Sequence, residues 1–125
     1  LQPNLDKIEV VQQNISRVFL NIITNGFYAT HEKQKTEKGF LPHLAVQTHS
    51  INGKVEIRIR DNGDGIPEGI RKKIFQPFFS TKPTGKGTGL GLSISYDIIV
   101  QEHNGEIRVD SKEGEFTEFI ITLPR

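Results

Sequence analysis

Two alternating segments around the dipeptide Asn52-Gly53 place the strongest constraint on the fold. Residues 44–48 (LAVQT) come before it and residues 55–60 (VEIRIR) follow it. Asn-Gly is a favoured two-residue turn between antiparallel strands, so this stretch predicts a β-hairpin. The apolar residues of the second strand alternate toward one face, which places Asp61 at the end of the strand on that same face. An unpaired buried charge is costly, so the fold alone does not explain this carboxylate.

The rest of the chain predicts a two-layer α/β sandwich. Apolar residues recur at helical spacing after Asn14, which predicts a helix capped by Asn14 and ending in a frayed, solvated segment at residues 31–38. The fold class follows from helices grouped on one face of hairpin-paired strands: a mixed, mainly antiparallel sheet of about five strands with about three helices. The other expected elements are an edge strand near residues 8–11, helices at 68–75 and 89–103, a mobile loop at 76–88, and strands at 106–110 and 116–123.

Composition narrows the functional classes. The chain has 125 residues, 34% of them hydrophobic, and a formal net charge of +1, which indicates one domain covering residues 1–125 and gives no support for a nucleic-acid or membrane-surface role. No apolar run approaches the ~20 residues of a membrane span. The absence of cysteine excludes disulfides and thiolate chemistry. The absence of methionine, even at position 1, leads us to expect a fragment of a longer protein.

Two glycine clusters flank the predicted loop: D-N-G-D-G at residues 61–65 and G-K-G-T-G-L-G at residues 85–91. Glycine amides beside one carboxylate suit a ligand that carries both phosphates and a hydrogen-bond donor, as a nucleotide does. The second cluster is not a Walker loop, because Lys86 is followed by Gly87. Neither cluster forms the G-x-G-x-x-G dinucleotide motif, and the H-R-D and D-F-G loops of protein kinases are absent.

Four sequence boxes in order carry a family resemblance: N-I-I-T-N-G-F-Y-A at residues 21–29, D-N-G-D-G-I-P at 61–67, F-Q-P-F-F at 75–79 and G-T-G-L-G-L-S-I at 87–94. Together they closely resemble the ATP-binding catalytic domain of bacterial sensor histidine kinases. That domain belongs to a superfamily with DNA gyrase, the MutL mismatch-repair proteins and the ninety-kilodalton heat-shock chaperones. The resemblance implies ATP and Mg²⁺ as ligands.

The resemblance implies catalytic roles for two asparagines and a recognition role for one aspartate. Asn25 matches the residue that coordinates the Mg²⁺ bridging the phosphates. Asp61 matches the aspartate that accepts a hydrogen bond from the adenine amino group and so selects ATP over GTP. Asn21 stands where the ATPases of the superfamily keep a glutamate as general base. Because an amide cannot take a proton from water, Asn21 favours transfer to a protein acceptor over hydrolysis. Taken alone, Asn21 and Asn25 could simply edge a core helix.

Further residues are implied to line the nucleotide. Gly63 and Gly65 pass beneath the base, Ile66 is an apolar wall, and Thr117 supports the adenine-binding aspartate. Tyr28 is a candidate for stacking on adenine, although the family places its aromatic one residue later. The phosphates are implied to meet the amides of the second glycine box and one lysine, while three phenylalanines anchor a mobile ATP lid. The amides are those of Gly87, Thr88, Gly89, Leu90 and Gly91. The lysine is Lys82 or, alternatively, Lys86, and the phenylalanines are Phe75, Phe78 and Phe79.

The function implied is that of an ATP-dependent protein-histidine kinase in two-component signalling. Its partners would be a dimerisation and phosphoacceptor domain of the parent protein and the receiver domain of a response regulator, and its location would be the cytoplasm. His31-Glu32 resembles an acceptor pair but lacks its surrounding motif, so we expect no stable autophosphorylation of this chain alone. The alternatives are an ATPase switch like the gyrase and chaperone members, and a domain that only binds nucleotide.

Overall fold

A computed structural model describes residues 12–76 and 91–124. The elements alternate between helices and hairpins along the chain. In order they are α1 (Gln12–Thr36), β1 (Leu44–Ile51), β2 (Lys54–Asp61), a 3₁₀ helix (Glu68–Lys73), α2 (Gly91–Asp97) continued by a π-helix (Ile98–Glu102), β3 (Glu106–Lys112) and β4 (Phe116–Pro124).

The described strands form one sheet with the order β1-β2-β4-β3, in which every neighbouring pair is antiparallel. The helices cover one face of this sheet, and the opposite face carries ion pairs such as those of Arg58 with Glu56 and Glu118. The two-layer α/β fold with an antiparallel sheet is therefore confirmed, with four strands in the described part. The predicted fifth strand near residues 8–11 lies outside the described residues, as does most of the predicted lid.

The hairpin between β1 and β2 has the geometry that its turn sequence predicts. Asn52 has φ 47° and Gly53 has φ 77°, the pair of positive values that a tight type I′ turn requires. The turn sets Ile51 opposite Lys54 and fixes the register of the whole ladder. The apolar face of β2 is buried as predicted, and Asp61 ends the strand on that face, only 6% exposed.

Helix α1 is longer than the sequence predicted, and both predicted ends are wrong. Asn14 lies inside the helix and donates from Nδ2 to Glu102 Oε1 at 2.7 Å, so it is not the N-cap. The charged segment does not fray, since the helix continues through His31 to Thr36. The physical reason is that the buried face extends that far: Thr30 and Lys33 continue the stripe of core residues and are 4% and 6% exposed.

The core lies between the sheet and the helical layer. Its completely buried members include Val18 and Ile22 of α1, Ile99 of the π-helix and Ile121 of β4, so one apolar cluster joins both layers. Among the described residues, no helix is both long enough and apolar enough to cross a membrane.

Candidate functional site

Asp61 is the centre of the candidate site. As the last residue of β2 it faces the helical layer, and its Oδ1 accepts a hydrogen bond of 2.8 Å from the Gly63 N–H. Burial raises the pKa of the Asp61 carboxyl to about 6, while the Gly63 N–H and the positive charge of Lys33 act in the opposite direction. The carboxylate is thus held in a costly environment that one backbone donor and one cation partly offset.

Small residues let α1 approach this carboxylate closely. A Cβ at Gly26 would lie 2.7 Å from Leu44 Cδ1 and 3.5 Å from Asp61 Oδ2, and a Cβ at Gly63 would lie 2.8 Å from Ala29 Cβ. A side chain at Gly63 would push the helix and the turn apart, whereas one at Gly26 would displace the Leu44 side chain. The middle of α1 therefore packs directly against the end of β2 at Asp61 and against the residues that follow it.

Lys33 fastens the turn after β2 from the helix side. Its Nζ donates to the carbonyl oxygens of Asn62 and Gly63 at 3.4 Å each and of Gly114 at 2.9 Å. It also lies 4.9 Å from the centre of the Phe40 ring. A buried ammonium needs such acceptors, and here all three are backbone carbonyls of the turns that follow β2 and β3.

The β3–β4 hairpin closes the other side of the first glycine cluster. Gly65 has φ 74°, and a Cβ there would collide with the carbonyl oxygen of Lys112, so only glycine fits. The Ile66 N–H donates to Ser111 Oγ at 2.7 Å, and this hydroxyl lies 3.4 Å from Thr117 Oγ1. Thr117 is itself the strand partner of Asp61, so the predicted site residues Gly65, Ile66 and Thr117 lie along one border.

Asn21 connects α1 to the start of α2. Its Nδ2 donates to the Gly91 carbonyl oxygen at 3.1 Å and to Ser95 Oγ at 3.3 Å, and Ser95 Oγ donates to the same Gly91 oxygen at 2.9 Å. Helix α1 therefore touches the end of the second glycine box at Asn21 and the first glycine cluster at Ala29. The structure therefore places Gly91, the last residue of the second glycine cluster, and the first glycine cluster at opposite ends of one helix face.

The Mg²⁺ implied by the resemblance has a suitable ligand between these two contacts. Asn25 lies one turn after Asn21 on α1 and is half-buried, as is Tyr28. In the described part of the chain, no group of three or more His, Asp or Glu residues could hold a metal. Mg²⁺ commonly keeps waters and binds through one or two protein oxygens plus substrate phosphates. The donor set fits an ion that arrives with a nucleotide.

The aromatic residue that follows the 3₁₀ helix packs against the core. The Phe75 ring lies 5.5 Å from that of Tyr96 in α2 and 6.3 Å from that of Phe119 in β4. Phe75 thus joins the 3₁₀ segment to both layers. Eight predicted residues lie outside the described residues: Lys82, Gly87, Thr88, Gly89, Leu90, Phe78, Phe79 and the alternative Lys86.

Two residues at the site are not identified by the sequence analysis. The charged neighbours of Lys33 predict a solvated helix end, yet Lys33 continues the buried spacing of Ile22, Gly26 and Thr30. Ser111 follows Ile107 and Val109 at two-residue intervals on the inner side of β3. The burial of each residue could therefore have been predicted by continuing the spacing of buried residues along α1 or β3 to the next position.

Comparison with known proteins identifies the family. The family model described as "Histidine kinase-, DNA gyrase B-, and HSP90-like ATPase" matches residues 10–125. The chain belongs to this family. The resemblance inferred from the four sequence boxes is thereby confirmed.

Named relatives of the chain are sensor kinases. The chain is 38% identical to the sensor protein kinase WalK of Staphylococcus haemolyticus, in an alignment that covers 93% of this chain. It is also 38% identical to the signal transduction histidine-protein kinase AtoS of Escherichia coli, in an alignment that covers 99% of this chain. It is 54% identical to the sensor kinase CckA of Brucella abortus, in an alignment that covers 57% of this chain. It spans 19%, 19% and 7% of the length of these three relatives.

Solved structures give the same result for the fold. The catalytic domain of histidine kinase ThkA has a TM-score of 0.77 at 34% identity, over 94% of this chain and 70% of that one. The mycobacterial sensor histidine kinase MprB has a TM-score of 0.72 at 31% identity, over 90% of this chain and 70% of that one. The fold is that of a histidine kinase catalytic domain.

Proposed function

We propose that this chain is a kinase catalytic domain that binds Mg-ATP and donates the γ-phosphoryl group to a histidine. The acceptor would lie on a dimerisation domain of a longer parent protein, outside residues 1–125, and the phosphoryl group would pass on to the receiver domain of a response regulator. Family membership and the sensor kinases among the relatives support this proposal. A cytoplasmic location, where ATP is available, stays a prediction.

The observation that carries the proposal is the arrangement along α1. Asn21 contacts Gly91 of the second glycine box, while Gly26 lies beside Asp61 and Ala29 lies beside Gly63. A nucleotide laid along this face would have its base at the first glycine cluster and its phosphates at the second. The half-buried Asn25 lies between them, where a Mg²⁺ ion bridging the phosphates would need an oxygen ligand.

In this proposal Asp61 accepts a hydrogen bond from the adenine amino group. Gly63 and Gly65 let the backbone pass beneath the base, with Ile66 as an apolar wall, Thr117 supporting Asp61 from the neighbouring strand, and Tyr28 as a candidate stacking residue. The amides of residues 87–91 and Lys82 would neutralise the phosphates. Bound Mg²⁺ would supply the charge neutralisation on which phosphoryl transfer depends.

Nucleotide binding tests the assignment of Asp61. We expect titration calorimetry to show Mg-ATP binding, and Asp61→Asn to weaken it by ~10-fold or more, because half of the acceptor capacity becomes a donor facing the adenine amino group. Asp64→Asn is the matched control, since Asp64 is an exposed carboxylate in the same turn. Equal affinity of Asp61→Asn and the wild type would show that this carboxylate does not recognise the base.

Transfer to a separate acceptor tests the kinase activity. We expect labelled ATP, this chain and the separately produced dimerisation domain of the parent to yield labelled phosphohistidine, and this chain alone to remain unlabelled. Asn25→Asp should lower the rate by ~100-fold or more, because an added charge alters the Mg²⁺-dependent positioning of the phosphates.

The control for that experiment is Asn52→Asp, which makes the same chemical change in a hairpin turn that accepts either residue. Binding of ATP without transfer would favour a domain that only binds nucleotide. Rapid release of phosphate without an acceptor would favour an ATPase switch. Stable label on His31 would show that the acceptor had been placed in the wrong part of the protein.

A further inference from the structure

Lys33 has contacts that neither the sequence boxes nor the proposed function accounts for. It is 6% exposed in a segment where Glu32 and Lys35 form a surface ion pair. Its nearest carboxylate partner is Glu37 at 4.0 Å, whose side chain is 59% exposed, so that ion pair is weak. Long side chains rarely bury an ammonium unless the group has a defined task or is fully paired.

One of the three contacts of the ammonium is to the peptide group that also holds Asp61. The Asn62 carbonyl oxygen accepts from Lys33 Nζ at 3.4 Å, and the N–H on the other side of that same peptide bond, that of Gly63, donates to Asp61 Oδ1 at 2.8 Å. The peptide group is therefore held between a cation and an anion. Hydrogen bonds in such a series polarise each other, so Lys33 strengthens the donor that holds the carboxylate.

The other two contacts of Lys33 fix the position of this peptide group. Nζ also donates to the carbonyl oxygens of Gly63 and Gly114, and the Gly114 N–H donates to the Asp64 carbonyl oxygen. One side chain thus ties α1, the turn after β2 and the turn between β3 and β4 together. The Phe40 ring covers the ammonium at 4.9 Å and limits its exposure to water.

We propose that Lys33 is a positioning residue for base recognition, acting through the Asn62–Gly63 peptide group to hold the Asp61 carboxylate in the orientation that accepts the amino group of adenine. This inference rests on the proposed function and adds to it a residue that does not contact the nucleotide. Lys33 donates to this turn and Asp61 accepts from it, and Glu37 lies 4.0 Å from the ammonium on the same helix.

The test compares two nucleotides that differ only in the group that Asp61 recognises. ATP and purine riboside triphosphate, which lacks the exocyclic amino group, are titrated with Mg²⁺ into the wild type, Lys33→Met and Lys35→Met. We expect the wild type to prefer ATP by ~10-fold or more. Lys33→Met should weaken ATP binding and reduce this preference to ~3-fold or less. Lys35→Met, which removes an exposed lysine two residues away, should leave both affinities unchanged.

A purely structural role would give a different pattern. If Lys33 only held the fold together, both nucleotides would lose affinity by the same factor and the preference would be unchanged, which would overturn the inference. Should Lys33→Met fail to fold by circular dichroism, Lys33→Arg is measured instead, because the rigid planar fork of a guanidinium differs in geometry from the compact ammonium that contacts the three carbonyls. A reduced preference in that variant supports the inference and an unchanged one overturns it. A wild type without any preference overturns both this inference and the proposed base site.

Discussion

At the scale of single residues, Asp61 shows what a carboxylate needs in order to remain at the end of a buried strand. One oxygen is held by the Gly63 N–H, a lysine ammonium contributes from the far side of that peptide group, and glycine at position 26 leaves room beside the other oxygen. These features reduce the cost of burial without removing it, since the pKa of Asp61 is still raised to about 6. A carboxylate whose burial lowers stability in this way is a candidate for a functional site.

Glycine and alanine at this site are important because their small size lets α1 approach the turn closely. Gly63 and Ala29 are in direct contact, and a Cβ at Gly63 would also lie 2.9 Å from Asp61 Oδ1. The close approach of α1 to the turn brings the ammonium of Lys33 within reach of the Asn62 and Gly63 carbonyls. The contacts of Lys33 with the turn therefore depend on the small residues Ala29 and Gly63.

At the scale of elements, the contact between α1 and α2 depends on the amide of Asn21. We expect Asn21→Ala to lower the free energy of unfolding by about 1–2 kcal/mol, because a partly buried donor to Gly91 and Ser95 is lost. Asn21→Asp should cost at least as much, since a carboxylate cannot donate and would face the Gly91 carbonyl oxygen. Urea unfolding measures both values.

Asn14→Ala is the matched control, because Asn14 also connects α1 to the second helical segment but through an exposed hydrogen bond to Glu102. Its loss should cost about 0.5 kcal/mol or less. If Asn21→Ala were no more destabilising than Asn14→Ala, the amide of Asn21 would not be what holds α2 in place, and its position in the first sequence box would need a different explanation.

The sequence predicted those elements whose signals are local. The turn at Asn52-Gly53 determined a hairpin and its register, and the strands predicted at 106–110 and 116–123 form the second hairpin, whose turn contains Gly114 at φ 83°. The length of α1 was not predictable from charge, because the burial of Thr30 and Lys33 is decided by the turns packed against them. Local propensity indicated a frayed end there, and tertiary contacts outweighed it.

The candidate site was predictable only in part, for the same reason. Asp61 is identifiable as an unexplained carboxylate because strand alternation is a local rule. The contact of Asn21 with Gly91 joins residues 70 positions apart, and nothing near Asn21 in the chain indicates it. The second glycine box was recognised by its motif alone, and it lies mostly outside the described residues.

At the scale of the whole molecule, the site and the core share the same two layers. β2 contributes Ile57 and Ile59 to the core and the buried Asp61 to the proposed site, and α1 contributes Ile22 to the core and the half-buried Asn25 to the proposed site. Burying the Asp61 carboxylate therefore lowers the free energy of unfolding of the entire domain, because the strand that carries it is also part of the core. Stability and base recognition should respond in opposite directions to a change at this position.

The pH dependence of unfolding tests whether the Asp61 carboxylate lowers the stability of the domain. Below about pH 4 the Asp61 carboxyl is protonated in both the folded and unfolded chain. Between about pH 4 and 6 the unfolded carboxyl ionises first, since its pKa is near the ordinary 3.8 and the folded value is about 6. The contribution of this carboxyl to stability is thus present at low pH and is lost as pH rises through the folded pKa. An amide side chain cannot ionise, so we expect Asp61→Asn to unfold at a Tm several degrees above wild type at pH 7 without nucleotide.

Thermal unfolding followed by circular dichroism from pH 4 to pH 8 measures this effect. The difference in Tm between Asp61→Asn and the wild type should increase from pH 4 to about pH 6 and then remain constant. Asp64→Asn, which removes an exposed carboxylate from the same turn, should follow the wild type throughout. A difference that does not change with pH would mean that Asp61 ionises normally in the folded protein. The same variant that gains stability should lose affinity for ATP, because the carboxylate that destabilises the empty domain is the group that we propose accepts the hydrogen bond of the adenine amino group.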